Sequence, residues 1–288
     1  MKKIVIVIVS VFVISATTFA QNPAYALYNA DGKEMKYKKM VKACAEADVV
    51  LFGEQHNNPI SHWLQLELTQ DLFLERGNEL ILGAEMFETD NQLIMDEYFA
   101  GMITQKKFEE EMRLWPNYKT DYKPLLEFAK DSTLQFVATN IPRRYANVTF
   151  KLGLDTLKYL TEEAKLYIAP LPMDYDTTLN CYSSLSGSAP MGGHGSSELR
   201  DAQAIKDATM SYNILQNLPE GKLFLHFNGA YHSDDFESIS YFLKREKKNL
   251  NIVTISTVLQ DDVSSLSEEN QGKADFIIAV PENMTSTH

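Results

Sequence analysis

Apolar residues along this chain gather in short runs separated by longer amphipathic stretches. Residues 49–52, 80–82, 134–137, 223–225, 252–255 and 276–278 are mostly continuous apolar runs, without the alternation of a half-solvated strand. Strands of that kind are covered on both faces, as in a parallel sheet. Residues 60–76 place Trp63, Leu64, Leu68, Leu72 and Phe73 at helical spacing, and Asn58-Pro59 supplies a cap and a first-turn proline. Residues 198–217 and 235–247 read similarly. Alternation of strand and helix predicts an α/β fold, a mostly parallel sheet flanked by helices with right-handed crossovers. The gaps after the second and third strands are longer than one crossover helix needs. They predict helical insertions at 90–130 and 142–217 that form a smaller subdomain. Within the latter, residues 170–197 are rich in Pro, Gly, Ser and Tyr and keep no period, which predicts a long functional loop.

The N-terminus is of a different kind. Lys2 and Lys3 precede an apolar stretch, Ile4 to Ile14, broken only by Ser10, and Thr18-Phe19-Ala20 offers small residues before Gln21. This is the pattern of a secretory signal peptide, residues 1–20, cleaved after Ala20. Its apolar core is too short to span a hydrocarbon slab of ~30 Å. No cysteine follows it, so no lipid anchor is expected, and no later segment is long enough to cross a membrane. The expectation is one exported domain over residues 21–288, periplasmic or secreted.

Composition narrows the partners. The 288 residues carry 27 Lys+Arg against 39 Asp+Glu, a net charge of −12, with 44% hydrophobic and 23% charged residues. That is a globular balance, neither disordered nor fibrous. An acidic chain has no basic face for nucleic acid. Cys44 and Cys181 are the only cysteines. Export permits a bridge, but Cys44 falls on an apolar helical stripe, so unpaired thiols are expected, and no zinc-type cysteine cluster exists.

The polar residues of interest follow strands. Gly53-Glu54-Gln55-His56 ends the first, with His62 soon after; Glu85-Met86-Phe87 ends the second; Asn140-Ile141-Pro142-Arg143-Arg144 follows the third; and His226 to His232 ends the fourth. In a parallel sheet these sets share the C-terminal edge, where open α/β folds bind ligands. Glu54, His56, Glu85, His226 and His232 would together form a metal-ligand set. Gly-x-x-His occurs twice, at Gly53/His56 and Gly229/His232, and the glycines are expected to allow a sharp turn. Replacing His56 or His232 should leave the fold intact, since the scaffold positions such residues.

These motifs, with Gln65, Asn91-Gln92, Asp96-x-Tyr98-x-x-Gly101, Ala202-Gln203, Asp207 and Met210, resemble those of the ChaN-like haem-binding proteins, over roughly residues 40–280. That family belongs with the Tiki and erythromycin-esterase-like proteins. The resemblance implies an α/β core with a helical subdomain, export and a role in haem or iron uptake. A homo-oligomer or a haem-uptake receptor is the partner class it implies. Many family members are lipoproteins, and this chain lacks the lipid-bearing cysteine. Two function classes follow. As a haem-binding protein, it would draw an axial ligand from Tyr182, Met191 or His194 in the 170–197 loop, with Arg143 and Arg144 on the propionates. As a metal-dependent hydrolase of the Tiki or esterase type, it would hold a divalent transition metal on the strand-end residues, with Glu54 or Glu85 as general base.

Overall fold

In a computed structural model, residues 23–187 and 196–288 are described. Seven strands form one sheet in the order β1-β7-β6-β2-β5-β3-β4. They are β1 (Ala26–Asn29), β2 (Val49–Glu54), β3 (Leu80–Glu88), β4 (Gln135–Asn140), β5 (Leu223–Gly229), β6 (Ile252–Gln260) and β7 (Phe276–Pro281). Every pairing is parallel except β1 with β7. The six expected strands are present, most of them longer than their apolar runs. β1 escapes the pattern because it is four residues long and antiparallel at the edge.

One face of the sheet carries α1 (Tyr37–Ala45), α2 (Pro59–Arg76), α3 (Gln92–Phe99), α4 (Gln105–Glu111) and α5 (Lys123–Asp131). It buries Leu64, Leu68 and Leu72 of α2 against Val50, Phe52, Leu82 and Leu225. α2 starts where its sequence says, since the Asn58 side chain accepts from the Ile60 and Ser61 amides and Pro59 fills the first turn. The other face carries α6 (Arg143–Leu152), the short α7 (Glu162–Lys165) and α8 (Asn180–Ser183), α9 (Ser196–Gln216) and α10 (Ile239–Glu246). There Met210 and Ile214 of α9 and Ile239 and Leu243 of α10 pack on Val49, Leu51 and Phe224. The chain leaves β2 and β3 toward one face and β5 toward the other, so a crevice opens above the C-terminal end of β5.

Two expectations change. The helix expected at 235–247 begins at Ile239, because Asp235, Phe236 and Ser238 all adopt positive φ. The segment 170–197 is not one loop: α8 and a 3-10 turn (Ser184–Gly187) interrupt it. As expected, Cys44 and Cys181 are unpaired, on opposite sides of the sheet. The leader lies outside the described residues, among which no helix is long and apolar enough to cross a membrane.

Both sheet edges are covered by the chain itself. Outside β1, Asn29 donates to the Lys33 carbonyl at 2.9 Å and Met35 to that of Leu27 at 2.7 Å. Outside β4, the Gln92 side-chain amide donates to the Phe136 carbonyl and accepts from the Ala138 N–H, at 3.0 and 2.6 Å.

Candidate functional site

The crevice is a cleft of about 740 Å³ at the C-terminal ends of β2, β3 and β5, walled by α6 and α9. Glu54, His56, Glu85 and His232 line it, together with Trp115, Ile141, Ala146, Phe150, Ala230 and Tyr231. The α6–α9 wall adds two cations, Arg143 and Lys206. The cleft is therefore polarised, with carboxylates on the strand side and positive charge on the helix side.

The β2 arm ends in an open imidazole. Glu54 is buried; its Oε1 accepts from the Tyr122 hydroxyl at 2.7 Å and its Oε2 from Gln65 Nε2 at 2.5 Å. His56 Nδ1 lies 2.9 Å from Glu54 Oε1. Against an accepting Glu54 the neutral ring carries its proton on Nδ1 and leaves the lone pair on Nε2. Asn117 Nδ2 and His62 Nε2 donate to the His56 carbonyl, at 2.7 and 3.0 Å, and Trp115 meets the ring edge-on at 4.9 Å between centroids. The His56 side chain is 44% exposed. Burial lowers its pKa, but Glu54 and Glu85 outweigh that and raise it above the ordinary histidine value.

The β5 arm ends in a closed one. His232 is buried, with Nδ1 2.5 Å from Asp207 Oδ1 and Nε2 3.3 Å from Glu85 Oε1. The Tyr182 hydroxyl donates to the other Asp207 oxygen at 2.7 Å, and the Gly229 N–H to Glu85 Oε2 at 2.8 Å. Burial opposes a charge on His232, yet Glu85 and Asp207 on either side push its pKa up to about 10. For Glu85 burial works upward, and His232, His56 and the Gly229 amide overcome it, holding the carboxyl well below the usual carboxylate range. Asp207, wholly enclosed, is raised by burial even beside this cation.

The glycines serve space, not turning. Gly229 has φ −57°, and a Cβ there would stand 2.8 Å from His56 Cε1 and Nε2. A Cβ on Gly53 would meet the Ala230 Cα and the Ile255 carbonyl at 2.9 Å. Neither glycine has positive φ, so the expected turn is not what calls for glycine here.

Several expected site residues lie elsewhere. His226 is one step below the cleft, fully buried, with Nε2 on Thr139 Oγ1 at 2.8 Å and Nδ1 on Asn228 Oδ1 at 3.0 Å. Burial lowers its pKa to about 4, so it stays neutral and both nitrogens are spent. Arg144 turns away to Asp90 and stacks on Tyr145, while Arg143, one position earlier on α6, lines the cleft. Tyr182 cannot offer iron its oxygen: the hydroxyl is sealed in the core against Asp207. Met191 and His194 lie outside the described residues. Among the described residues no group of three or more His, Cys, Asp and Glu is placed to hold a metal ion. Glu54 is committed to Tyr122 and Gln65, His226 to Thr139 and Asn228, and His232 to two carboxylates, which removes most of the expected ligand set. The residues missed were Tyr122, Trp115 and Lys206. Asp207 left one signal, a charge set among Ala204, Ile205, Ala208 and Met210 on the buried face of α9.

A family model described as haem-binding uptake, Tiki superfamily, ChaN, matches residues 40–243. Among solved structures, a ChaN of Campylobacter jejuni described with cofacially bound haem superposes with a TM-score of 0.68 at 16% identity, covering 88% of this chain and 96% of that one. A protein from Bacillus cereus gives 0.49 at 12% identity, covering 85% and 90%, and an effector domain of a Vibrio vulnificus toxin gives 0.44 at 16%, covering 85% and 37%. The first likeness establishes the fold; the other two carry no argument. No curated protein matches the sequence.

Proposed function

The chain belongs to the ChaN family of haem-binding uptake proteins in the Tiki superfamily, and on that premise we propose that it carries haem in this cleft, with His56 Nε2 as an axial ligand. One observation carries the reading. Of the four imidazoles around the cleft, three have both ring nitrogens engaged by protein groups; His56 alone among them has no protein partner on Nε2, and its side chain is half-exposed in the cleft.

The rest of the lining suits a flat, amphipathic, dianionic ligand. Trp115, Ile141, Ala146 and Phe150 offer apolar contact to the ring. Arg143 and Lys206 have no ion-pair partner among the described residues and stand where propionates can pair with them. Haem would bring iron as cargo. The protein's part is to supply the imidazole, fix its tautomer through Glu54 and neutralise the carboxylates. We further propose that residues 1–20 are a leader and that the carrier works outside the cytoplasm.

Haem titration tests this. Wild type should develop a sharpened Soret band. His56→Ala should lose that band, and Arg143→Ala and Lys206→Ala should each weaken binding about tenfold, the equivalent of ~1.4 kcal/mol. Binding that survives His56→Ala unchanged would sink the assignment. Deleting residues 188–195 tests separately whether Met191 or His194 supplies a second ligand.

A hydrolase is the second reading, and one observation favours it: an ionised buried carboxylate, Glu85, backed by an imidazolium and facing a half-exposed histidine. Ester turnover by the haem-free protein, abolished by Glu85→Gln, would support it.

A further inference from the structure

The acidic total conceals a patch of the opposite sign. Residues 33–42 carry five lysines, Lys33, Lys36, Lys38, Lys39 and Lys42, against one acidic residue, Glu34. All five are exposed. Several lysines elsewhere are neutralised: Lys107 by Glu110, Lys123 by Glu109 and Lys165 by Glu162, each at 2.8 Å. In the patch only Lys42 pairs with a carboxylate among the described residues. Its partner is Glu46 at 3.9 Å, and both side chains are largely in solvent.

The fold gathers these charges on one surface. Met40 and Cys44 are buried against the core, which turns Lys38, Lys39 and Lys42 to the opposite side of α1. Lys33 and Lys36 precede that helix on the return beside β1, so the row of charge runs along the sheet edge and onto α1. The neighbouring α2 adds Leu74, 82% exposed. It shares a groove of about 700 Å³ with Tyr37, Lys38, Val41 and Lys42 on the α1 side and Asp71 and Glu75 on its own.

We propose that this surface docks the protein on an anionic bilayer, the lysines against lipid phosphates and Leu74 at the headgroup boundary. A sheet of negative headgroups over hydrocarbon matches both the charge and the exposed leucine, whereas a soluble polyanion matches the lysines alone. The net charge of −12 does not prevent contact. The Debye length is ~8 Å at physiological ionic strength, and a domain of this size is several such lengths across. Acidic groups on the far side are therefore screened while the lysines touch. The α6–α9 wall of the cleft belongs to the other face of the sheet, so docking leaves it uncovered. The proposal does not depend on what the cleft holds.

Co-sedimentation with vesicles tests it, using phosphatidylcholine alone and an equimolar mixture with phosphatidylglycerol. The full chain should pellet with the mixed vesicles at low salt and be released at ~1 M salt, where the Debye length falls to ~3 Å. Lys38→Gln, Lys39→Gln and Lys42→Gln combined should weaken binding ~100-fold. Lys106→Gln, Lys107→Gln and Lys165→Gln combined remove the same charge from α4 and α7 and should leave binding nearly unchanged. Leu74→Ser should weaken it ~10-fold. All these side chains lie at the surface, and circular dichroism checks that each variant is folded. A leader retained on the chain is common to every variant and responds to none of the substitutions. Equal losses in the two triple variants would reduce the effect to net charge and overturn the proposal. So would absence of wild type from the mixed-vesicle pellet, or retention on heparin without vesicle binding, which would assign the lysines to a soluble polyanion.

Discussion

The two Gly-x-x-His turns share a spacing, follow neighbouring parallel strands and face the same cleft, yet their histidines are opposites. His56 has one carboxylate on Nδ1 and an open Nε2. His232 has a carboxylate on each side and is shut away. What separates them is the helix behind each turn. α2 brings Gln65, which engages Glu54 and leaves the imidazole face open. α9 brings Asp207, a second charge, which turns the other imidazole into a buried cation that cements β3, β5 and α9 together. Motif spacing sets where a side chain starts; the charge count around it sets what it does.

The comparison breaks most visibly on stability. His232→Ala leaves Glu85 and Asp207 buried without their shared cation, and should cost ~3–5 kcal/mol in a urea titration. This reverses the expectation that either histidine could go without loss to the fold. The pH dependence carries the same signature. A folded-state pKa of about 10 for His232 is above its unfolded value, so its contribution is complete below about pH 6.5 and fades as pH climbs to about 10. His226, near 4 in the folded state, contributes above about pH 6.5 and loses this as pH falls toward 4. A melting profile of His232→Gln should lack the alkaline decline, and one of His226→Gln the acid one.

Smaller changes sharpen the contrast. A methyl on Gly53 meets two backbone atoms that cannot yield, the Ala230 Cα and the Ile255 carbonyl, as well as the Ser233 hydroxyl, and Gly53→Ala should cost ~1–3 kcal/mol from overpacking. A methyl on Gly229 meets the His56 ring and can be relieved by tilting it. Gly229→Ala should therefore melt within a few degrees of wild type while weakening haem binding at least tenfold, as titration will show. His56→Ala should be the mildest for the fold, about 1 kcal/mol or less, because the side chain is half in solvent. A large loss of stability there would erase the distinction between the two turns.

The sequence made the strand ends legible because apolar runs covered on both faces stop abruptly at polar residues. That located Glu54, His56, Glu85 and His232 at one edge. It could not separate His226, which sits inside β5 on a doubly covered strand, where burial leaves no polar face to read. Arg143 and Arg144 were separable in principle, since adjacent helical positions point in different directions and both cannot line one cleft. Tyr122 was not, because it reaches Glu54 from a π-helical turn (Tyr118–Tyr122) that departs from the 3.6-residue period.

The Gln92 amide outside β4 and the return of residues 33–35 outside β1 bear on how this protein tolerates crowding by copies of itself. A sheet edge with unpaired amides is a template onto which another chain can zip. Here one side chain imitates a peptide group and occupies the central pair of β4, and the chain's own turn occupies β1. The charge of −12 adds repulsion at long range, but the edge plugs act at contact, where salt cannot screen them away. Resistance to edge-to-edge pairing is thus written partly into a glutamine with no place in the cleft.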